Sequence, residues 1–398
     1  MSLLELLWRN LLHRKLLSLL AVAAVAVTVA LLVVLLLCSR GLETGAASGY
    51  GPFELTIGAK GSASQLALNT YYHVGAPTGN VPYAVFEAVS REPEAERAFA
   101  LTTGDSYNGF PIVGIAPGYF VTRYSDRQLA AGRLYGATGE VVLGAYAAKE
   151  LHAKLGDTFH GAHGLVAGAA DEDGDEEEHR RFAYTVVGIL PALHTADDRA
   201  VFTTTDYAWQ VHHNEHGGEH EVTAILLKPK SLAGAQSLKT KYQNVSNVQA
   251  IFTSKAVADV VNVVDTGTGA VKIVTALCVL LAAVTVLLSL TQAVNERKRD
   301  VALLRLLGKP RGYIWLTLIG EGLLLTVLGT LLGLLAGHAA GFAGQDAIFA
   351  YTGLQIAPGR LLPGEALLAA EACLVGFAAS VGPALQAYRM DPLQMFRG

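Results

Sequence analysis

The sequence predicts an α-helical membrane protein with four transmembrane helices and a large extracytoplasmic α+β domain inserted between helices 1 and 2. Three observations carry this. The chain of 398 residues is 52% hydrophobic, with 16% charged residues and a mean hydropathy of +0.36, too apolar for an ordinary soluble enzyme and too charged to lie wholly in lipid. Four long apolar runs stand out, at 16–38, 270–293, 314–343 and 364–388. Between the first two the texture changes to short β-branched or alternating stretches broken by Gly, Pro and Asp, the signature of a folded mixed domain. The formal net charge of −4 gives no case for nucleic acid as a partner, because binding a phosphate backbone requires a basic surface.

Residues 1–15 contain "LLELLWRNLLHRK", with apolar residues at helical spacing and Arg9, Asn10 and His13 to one side. This predicts a helix lying along the cytoplasmic membrane surface. Leu16 to Cys38 holds 23 residues without a charge, enough at about 1.5 Å per residue to cross a hydrocarbon layer of about 30 Å. The run exceeds a signal-peptide core and no small-x-small cleavage pattern follows closely, so an uncleaved anchor is expected. The last two runs carry acidic residues, among them Glu321 and Glu371, which are expected to face protein or water. Cys38, Cys278 and Cys373 all fall in or beside apolar runs and read as buried small hydrophobes.

Orientation follows from the cations. Arg9, Arg14 and Lys15 precede the first span, and Arg297, Lys298, Arg299, Arg305, Lys309 and Arg311 lie between the second and third. Arg389 and Arg397 follow the fourth, whereas the 344–363 loop has only Arg360. The positive-inside rule then places both termini and the 294–313 loop in the cytoplasm, and residues 39–269 and 344–363 outside. Within 39–269, "FELTIGAK", "FPIVGIAPGYF", "GEVVLG", "YTVVGIL", "AVFTTTDY" and "EVTAILLKP" read as strands. "PYAVFEAVSREPEAERAFA", "AYAAKELHAKLG" and "SLAGAQSLKTKYQ" read as helices. That length buries a core as two subdomains, with a His- and acid-rich insertion near 160–221.

The order of one span, a large outer domain and three closing spans resembles the MacB/FtsX-type permeases of ABC transporters, often called the type VII class. Local phrasing agrees: "FPIVGIAPGYF", "AGRLYGATGEVVLGAYAAKELHAKLGDTF" and "YTVVGILPALHTADDRAVFTTTDYAW" look like the family's outer-domain pattern. "NERKRDVALLRLLGKPRGYIWLTLIGEGLLLTVLGTLLG" looks like its join of the second and third spans, and "RMDPLQMFRG" like its ending. The resemblance implies a bacterial cytoplasmic (inner) membrane location, a second permease chain as a homodimer, and a separate cytoplasmic ATP-binding subunit carrying ATP and Mg. It also implies mechanotransmission of ATPase motion to the outer domain. The cargo would be lipid-like, a peptide, haem or metal-linked; the alternative is a non-transporting lever regulating an outer enzyme or sensor. A binding protein or adaptor outside the membrane would be a further partner, and membrane lipids surround the spans.

Candidate site residues fall into three groups. In the cationic loop, "VALLRLLG" is an amphipathic turn stopped by Gly308 and Pro310, suited to a partner's groove. The resemblance makes it the coupling helix, with Glu296, Arg297, Lys298, Arg299, Asp300, Leu303, Leu304, Leu307 and Gly308 meeting the ATPase. In the third span Gly329, Gly333, Gly337 and Gly341 recur at four-residue intervals, a stripe for close helix packing within the chain or across a dimer; His338 beside it reads as a packing residue. Nine of twelve histidines lie between 152 and 220. In "HHNEHGGEHE", His212, His213, His216 and His220 are candidate zinc ligands, since imidazole suits borderline metals. A solvated insertion is the competing reading. The chain has no G-x-x-x-x-G-K-[ST] loop, G-x-S-x-G elbow or H-E-x-x-H pattern, so ATP hydrolysis is expected on the partner and no catalytic residue is assigned.

Overall fold

The computed structural model describes residues 3–13, 15–125, 128–163, 182–211, 220–296, 310–353 and 355–389. In chain order the helices are α1 (Leu3–His13), α2 (Lys15–Ser48), α3 (Ala63–Tyr72), α4 (Tyr83–Ser90), α5 (Gly118–Tyr124), α6 (Ala145–Glu150), α7 (Tyr207–Val211), α8 (Leu232–Gln243), α9 (Thr253–Glu296), α10 (Arg311–Thr352) and α11 (Pro363–Arg389). The strands are β1 (Leu55–Ala59), β2 (Val81–Pro82), β3 (Ala95–Tyr107), β4 (Phe110–Ile115), β5 (Ala131–Gly132), β6 (Glu140–Leu143), β7 (Thr158–His160), β8 (Ala162–His163), β9 (Ala183–Ile189), β10 (Val201–Thr203), β11 (Glu221–Val222), β12 (Ala224–Pro229) and β13 (Val248–Phe252). They form two units: a membrane unit of Met1–Gly41, Asp265–Asp346 and Ile356–Gly398, and an outer unit of Leu42–Val264 and Ala347–Gln355.

In the membrane unit, Lys15–Ala46, Gly312–Thr352 and Pro363–Gln386 are long and apolar enough to cross a bilayer, and Ala276–Gln292 is a shorter apolar stretch within α9. Val25, Val29, Val33, Val286, Leu290, Leu325 and Leu368 meet in the bundle core. Leu16, Leu19, Leu281, Leu335 and Leu374 stay largely exposed, which suits acyl chains rather than water. α1 buries Leu7 and Leu11 and exposes Trp8, Arg9 and His13, the amphipathic division its sequence predicts. Glu321 is buried, whereas Glu371 is exposed and lines a cavity of about 280 Å³ with Thr28 and Thr326.

Three helices outrun their predicted spans. α2 continues past Cys38 to Ser48, α9 starts at Thr253 rather than at 270, and α10 continues through residues expected in the 344–363 loop. Hydropathy marks where lipid ends, but a helix continues until something stops it. For α10 that is Gly353, at φ 68°, the left-handed conformation that ends helices.

In the outer unit the described strands build one sheet of order β13-β1-β12-β3-β4-β10-β6-β9-β5, with β7 on β9 and β8 on β3; β11 and β2 pair apart. β3, 13 residues long, pairs through its first half with β12 and through its second with β4, so a single strand ties the halves together. Its residues were expected to extend a helix from 82, but α4 ends at Ser90 and the chain turns at Glu92-Pro93, as the proline constraint dictates. "AYAAKELHAKLG" forms helix only over Ala145–Glu150, ahead of His152 at φ 52°. Within the 160–221 interval, β9 and β10 are strands of the main sheet. Aromatic rings fill the core: Phe53, Tyr71, Phe99, Tyr119, Phe120 and Phe202 in one cluster, Phe159, Tyr184 and Tyr207 in another.

Candidate functional site

A buried carboxylate with four side-chain partners in the outer unit is Asp197, on the 3-10 turn Ala196–Arg199 between β9 and β10. Its Oδ1 stands 3.0 Å from Nε2 of His73, and its Oδ2 accepts from the hydroxyls of Tyr119 (2.7 Å) and Tyr124 (2.8 Å) and from Nη1 of Arg123 (3.1 Å). α5 supplies Tyr119 and Arg123, one turn apart at i and i+4, and Tyr124 from its last residue. His73 reaches the carboxylate from the C-cap of α3, in a left-handed conformation at φ 55°. Neighbouring Asp198 accepts from the backbone N–H of Leu193 and His194, which fixes the turn.

The ion pair is dry, with side-chain exposure of 0% for Asp197 and 1% for Arg123. Burial pushes the Asp197 carboxyl up, but the Arg123 guanidinium, His73 and the Tyr119 hydroxyl outweigh it and hold the acid well below the usual carboxylate range. Burial likewise opposes charge on Arg123, and Asp197 reverses the effect. Burial drives Tyr119 and Tyr124 far above the ordinary phenol value, so both remain donors. The group is therefore a charged, water-free clamp. The Arg123–Asp197 pair at its centre is closed to solvent, so its chemistry is that of holding.

What it holds are helix ends. Arg123 Nη2 donates to the Gly49 carbonyl just beyond α2, and the Tyr72 hydroxyl lies 3.3 Å and 3.4 Å from the Gly45 and Ala46 carbonyl oxygens. At α10, a Cβ added to Gly353 would lie 3.0 Å from Cβ of Ala196. The Phe349 ring packs edge-on against Tyr146 at 4.8 Å, and His194 Nδ1 is 2.8 Å from Gln355 Oε1. α9 grows directly from β13; the Thr253 hydroxyl is 2.8 Å from that of Thr56, which is 2.8 Å from the Tyr71 hydroxyl. Sequence reasoning missed all of these residues. The visible trace was Asp-Asp-Arg beside apolar "AVF", charges placed where a buried strand begins.

The predicted glycine stripe lies along α2. An added Cβ would stand 2.6 Å from Val25 Cβ at Gly329, 2.6 Å from both Val29 Cβ and the Ala26 carbonyl oxygen at Gly333, 2.7 Å from Val33 Cβ at Gly337 and 3.0 Å from Leu37 Cδ1 at Gly341. Numbers rise together, so α2 and α10 run parallel, backbone against valine. Thr28 Oγ1 donates to the Ala24 carbonyl and, at 3.3 Å, to that of Cys278 on α9. His338 bridges the Pro358 carbonyl (2.7 Å) and Glu365 (3.2 Å), a packing role. Glu296 ends α9, while Arg297, Lys298, Arg299, Asp300, Leu303, Leu304, Leu307 and Gly308 lie outside the described residues. So do His212, His213 and His216; His220 stacks on Trp209 with centroids 4.1 Å apart. Among the described residues no cluster of three His, Cys, Asp or Glu is placed to hold a metal.

A bundle of apolar helices in small-residue contact, together with an α+β unit, defines a membrane protein with a large folded domain. Two family models match: the MacB-like periplasmic core domain over residues 18–245 and the FtsX-like permease C-terminal over residues 272–392. The first spans more than half of the chain, and the chain belongs to the MacB/FtsX-type family of ABC transporter permeases, which work with a cytoplasmic ABC ATPase. Among solved structures it is similar to the periplasmic region of MacB from Actinobacillus actinomycetemcomitans, at 15% identity over 53% of this chain and 94% of that one, TM-score 0.36. It is also similar to the extracellular domain of the noncanonic ABC-type transporter YknZ from Gram-positive bacteria, at 11% identity over 50% and 98%, TM-score 0.31. No curated protein matches.

Proposed function

We propose that this permease works by mechanotransmission. Closure of the partner ATPase pushes the segment from Glu296 to Gly308, the spans tilt as stiff rods, and the extracytoplasmic domains of two copies change their separation. The work falls on a lipid-like, peptide, haem or metal-linked substrate taken up outside the membrane. The chain crosses four times, with both termini and the cationic loop in the cytoplasm. The observation that carries this reading is the order of the two family matches, outer domain first and permease second, on one chain. The parallel course of α2 and α10 supports it, because Lys15 and Arg311, which open these helices, then start on one side.

The test is reconstitution with the ATPase subunit in nanodiscs, a spin label at exposed Ser237 and Cys38, Cys278 and Cys373 replaced by Ser. An ATP-dependent change in the distance between labels on the two copies is expected; an unchanged distance during turnover would overturn the reading. Substrate-stimulated ATP hydrolysis is the second expected result. Stimulation by a protein partner alone points instead to a regulatory lever.

A further inference from the structure

We propose that Arg123, Asp197 and Tyr72 form a latch fixing the outer ends of α2 and α10 to the sheet, so that this buried cluster is where helix motion becomes domain motion. The inference rests on the mechanotransmission reading and names the residues that carry it out. A helix C-terminus offers unpaired carbonyls and the negative end of its dipole. At α2 these carbonyls meet a guanidinium at Gly49 and a phenol at Gly45 and Ala46. The guanidinium is itself immobilised on Asp197, four residues ahead of β10 on a turn held by Asp198.

The chain leaving α2 is shaped for this approach. A Cβ at Gly49 would run into the Tyr72 hydroxyl; one at Gly51, which has φ 57°, would lie 2.9 Å from Cγ of Arg123. On the other side of the same turn, Ala196 fits against Gly353 at the end of α10. Two consecutive residues, Ala196 and Asp197, thus serve two helix ends. An apolar cavity of about 200 Å³, lined by Leu42, Ala46, Val261 and Tyr351, also lies among those ends.

A plain core ion pair is the competing explanation. Such pairs contribute little net stability and are replaceable by apolar residues. One that only stiffened the sheet would have no use for the second guanidinium nitrogen on a helix-end carbonyl. Arg123→Lys separates the two, since an ammonium keeps the charge opposite Asp197 but cannot reproduce the fork that also reaches Gly49. Tyr72→Phe removes only the hydroxyl facing Gly45 and Ala46.

The experiment uses the reconstituted permease–ATPase complex carrying spin labels at Thr44, on the outer end of α2, and at Ser237. Wild type gives one narrow distance distribution with and without ATP. Arg123→Lys and Tyr72→Phe broaden it, the unlatched population rising roughly two- to tenfold per hydrogen bond lost. Tyr207→Phe, which deletes a buried hydroxyl bonded to the Ile112 carbonyl, leaves it narrow. ATP hydrolysis persists in the latch variants while the ATP-driven change in Ser237 separation between copies shrinks. A narrow distribution in both latch variants, or equal broadening in Tyr207→Phe, overturns the latch. Absence of any ATP-driven change in wild type sinks the mechanotransmission reading instead, and the Thr44–Ser237 distributions still report whether the latch exists.

Discussion

The membrane unit and the outer unit fix helices by opposite means. Along α2 and α10 in the membrane, side chains are removed: three glycines let valines touch backbone and a fourth meets Leu37, with Thr28 adding a polar contact to Cys278. At the outer ends a buried carboxylate gathers a guanidinium, an imidazole and two phenols. The difference follows from the solvent. In lipid, apolar side chains gain nothing by leaving their surroundings, so close fit supplies the attraction. In a water-exposed domain an aromatic core is already driven together by burial, and a satisfied polar cluster adds direction.

The comparison breaks most visibly at Asp197. Asp197→Ala leaves Arg123 charged, buried and unpaired, and should destabilise the chain by about 3–5 kcal/mol, read as a lowered urea midpoint in detergent. Asp197→Asn, which keeps the shape, should cost less. Next comes Gly333→Ala. Its Cβ would meet Val29 and the Ala26 carbonyl at 2.6 Å, an overpacking of about 1–3 kcal/mol, visible in thermal unfolding as a loss that Gly136→Ala, facing open space, does not show.

Acid sharpens the same contrast. Asp197 is held below its unfolded value, so its contribution is complete above pH ~4 and is lost as pH falls toward its folded pKa. Glu140, lowered to about 2 by hydrogen bonds from Arg133 and the Gly136 N–H, acts in the same direction. The melting temperature should therefore drop between pH 4 and 2, less steeply in Asp197→Asn. Thr28→Val is the smallest expected effect, about 0.6 kcal/mol as for an average interhelical hydrogen bond in a membrane, measured by unfolding in detergent.

How much of this was legible depends on the range of the signal. Apolar runs and four-residue spacings are local signals: Lys15–Ala46, Gly312–Thr352 and Pro363–Gln386 carry the first, third and fourth runs, Ala276–Gln292 is a shorter apolar stretch within the second, and Gly329, Gly333, Gly337 and Gly341 face α2 or its neighbours. The extensions at 39–48, 253–269 and 344–352 were hidden because "SRGLETGAAS" and its counterparts lack lipid-grade hydropathy, and their glycines do not interrupt the helices, which contain no proline there. β3 was misread because Glu96 and Arg97, exposed near its start, imitate a charged helix face. The cluster around Asp197 joins residues 73, 119, 123, 124 and 197, and no periodicity can announce contacts that only the folded sheet creates.

Val25, Val29 and Val33 repeat at the same interval as Gly329, Gly333 and Gly337. A matched comb of this kind fits itself again after a slip of one tooth, about 6 Å along the axis, with most notches still filled. Side-chain complementarity alone thus leaves α2 and α10 a second register. What singles out the native one has to come from beyond the teeth, in the fittings at the tips of the rods.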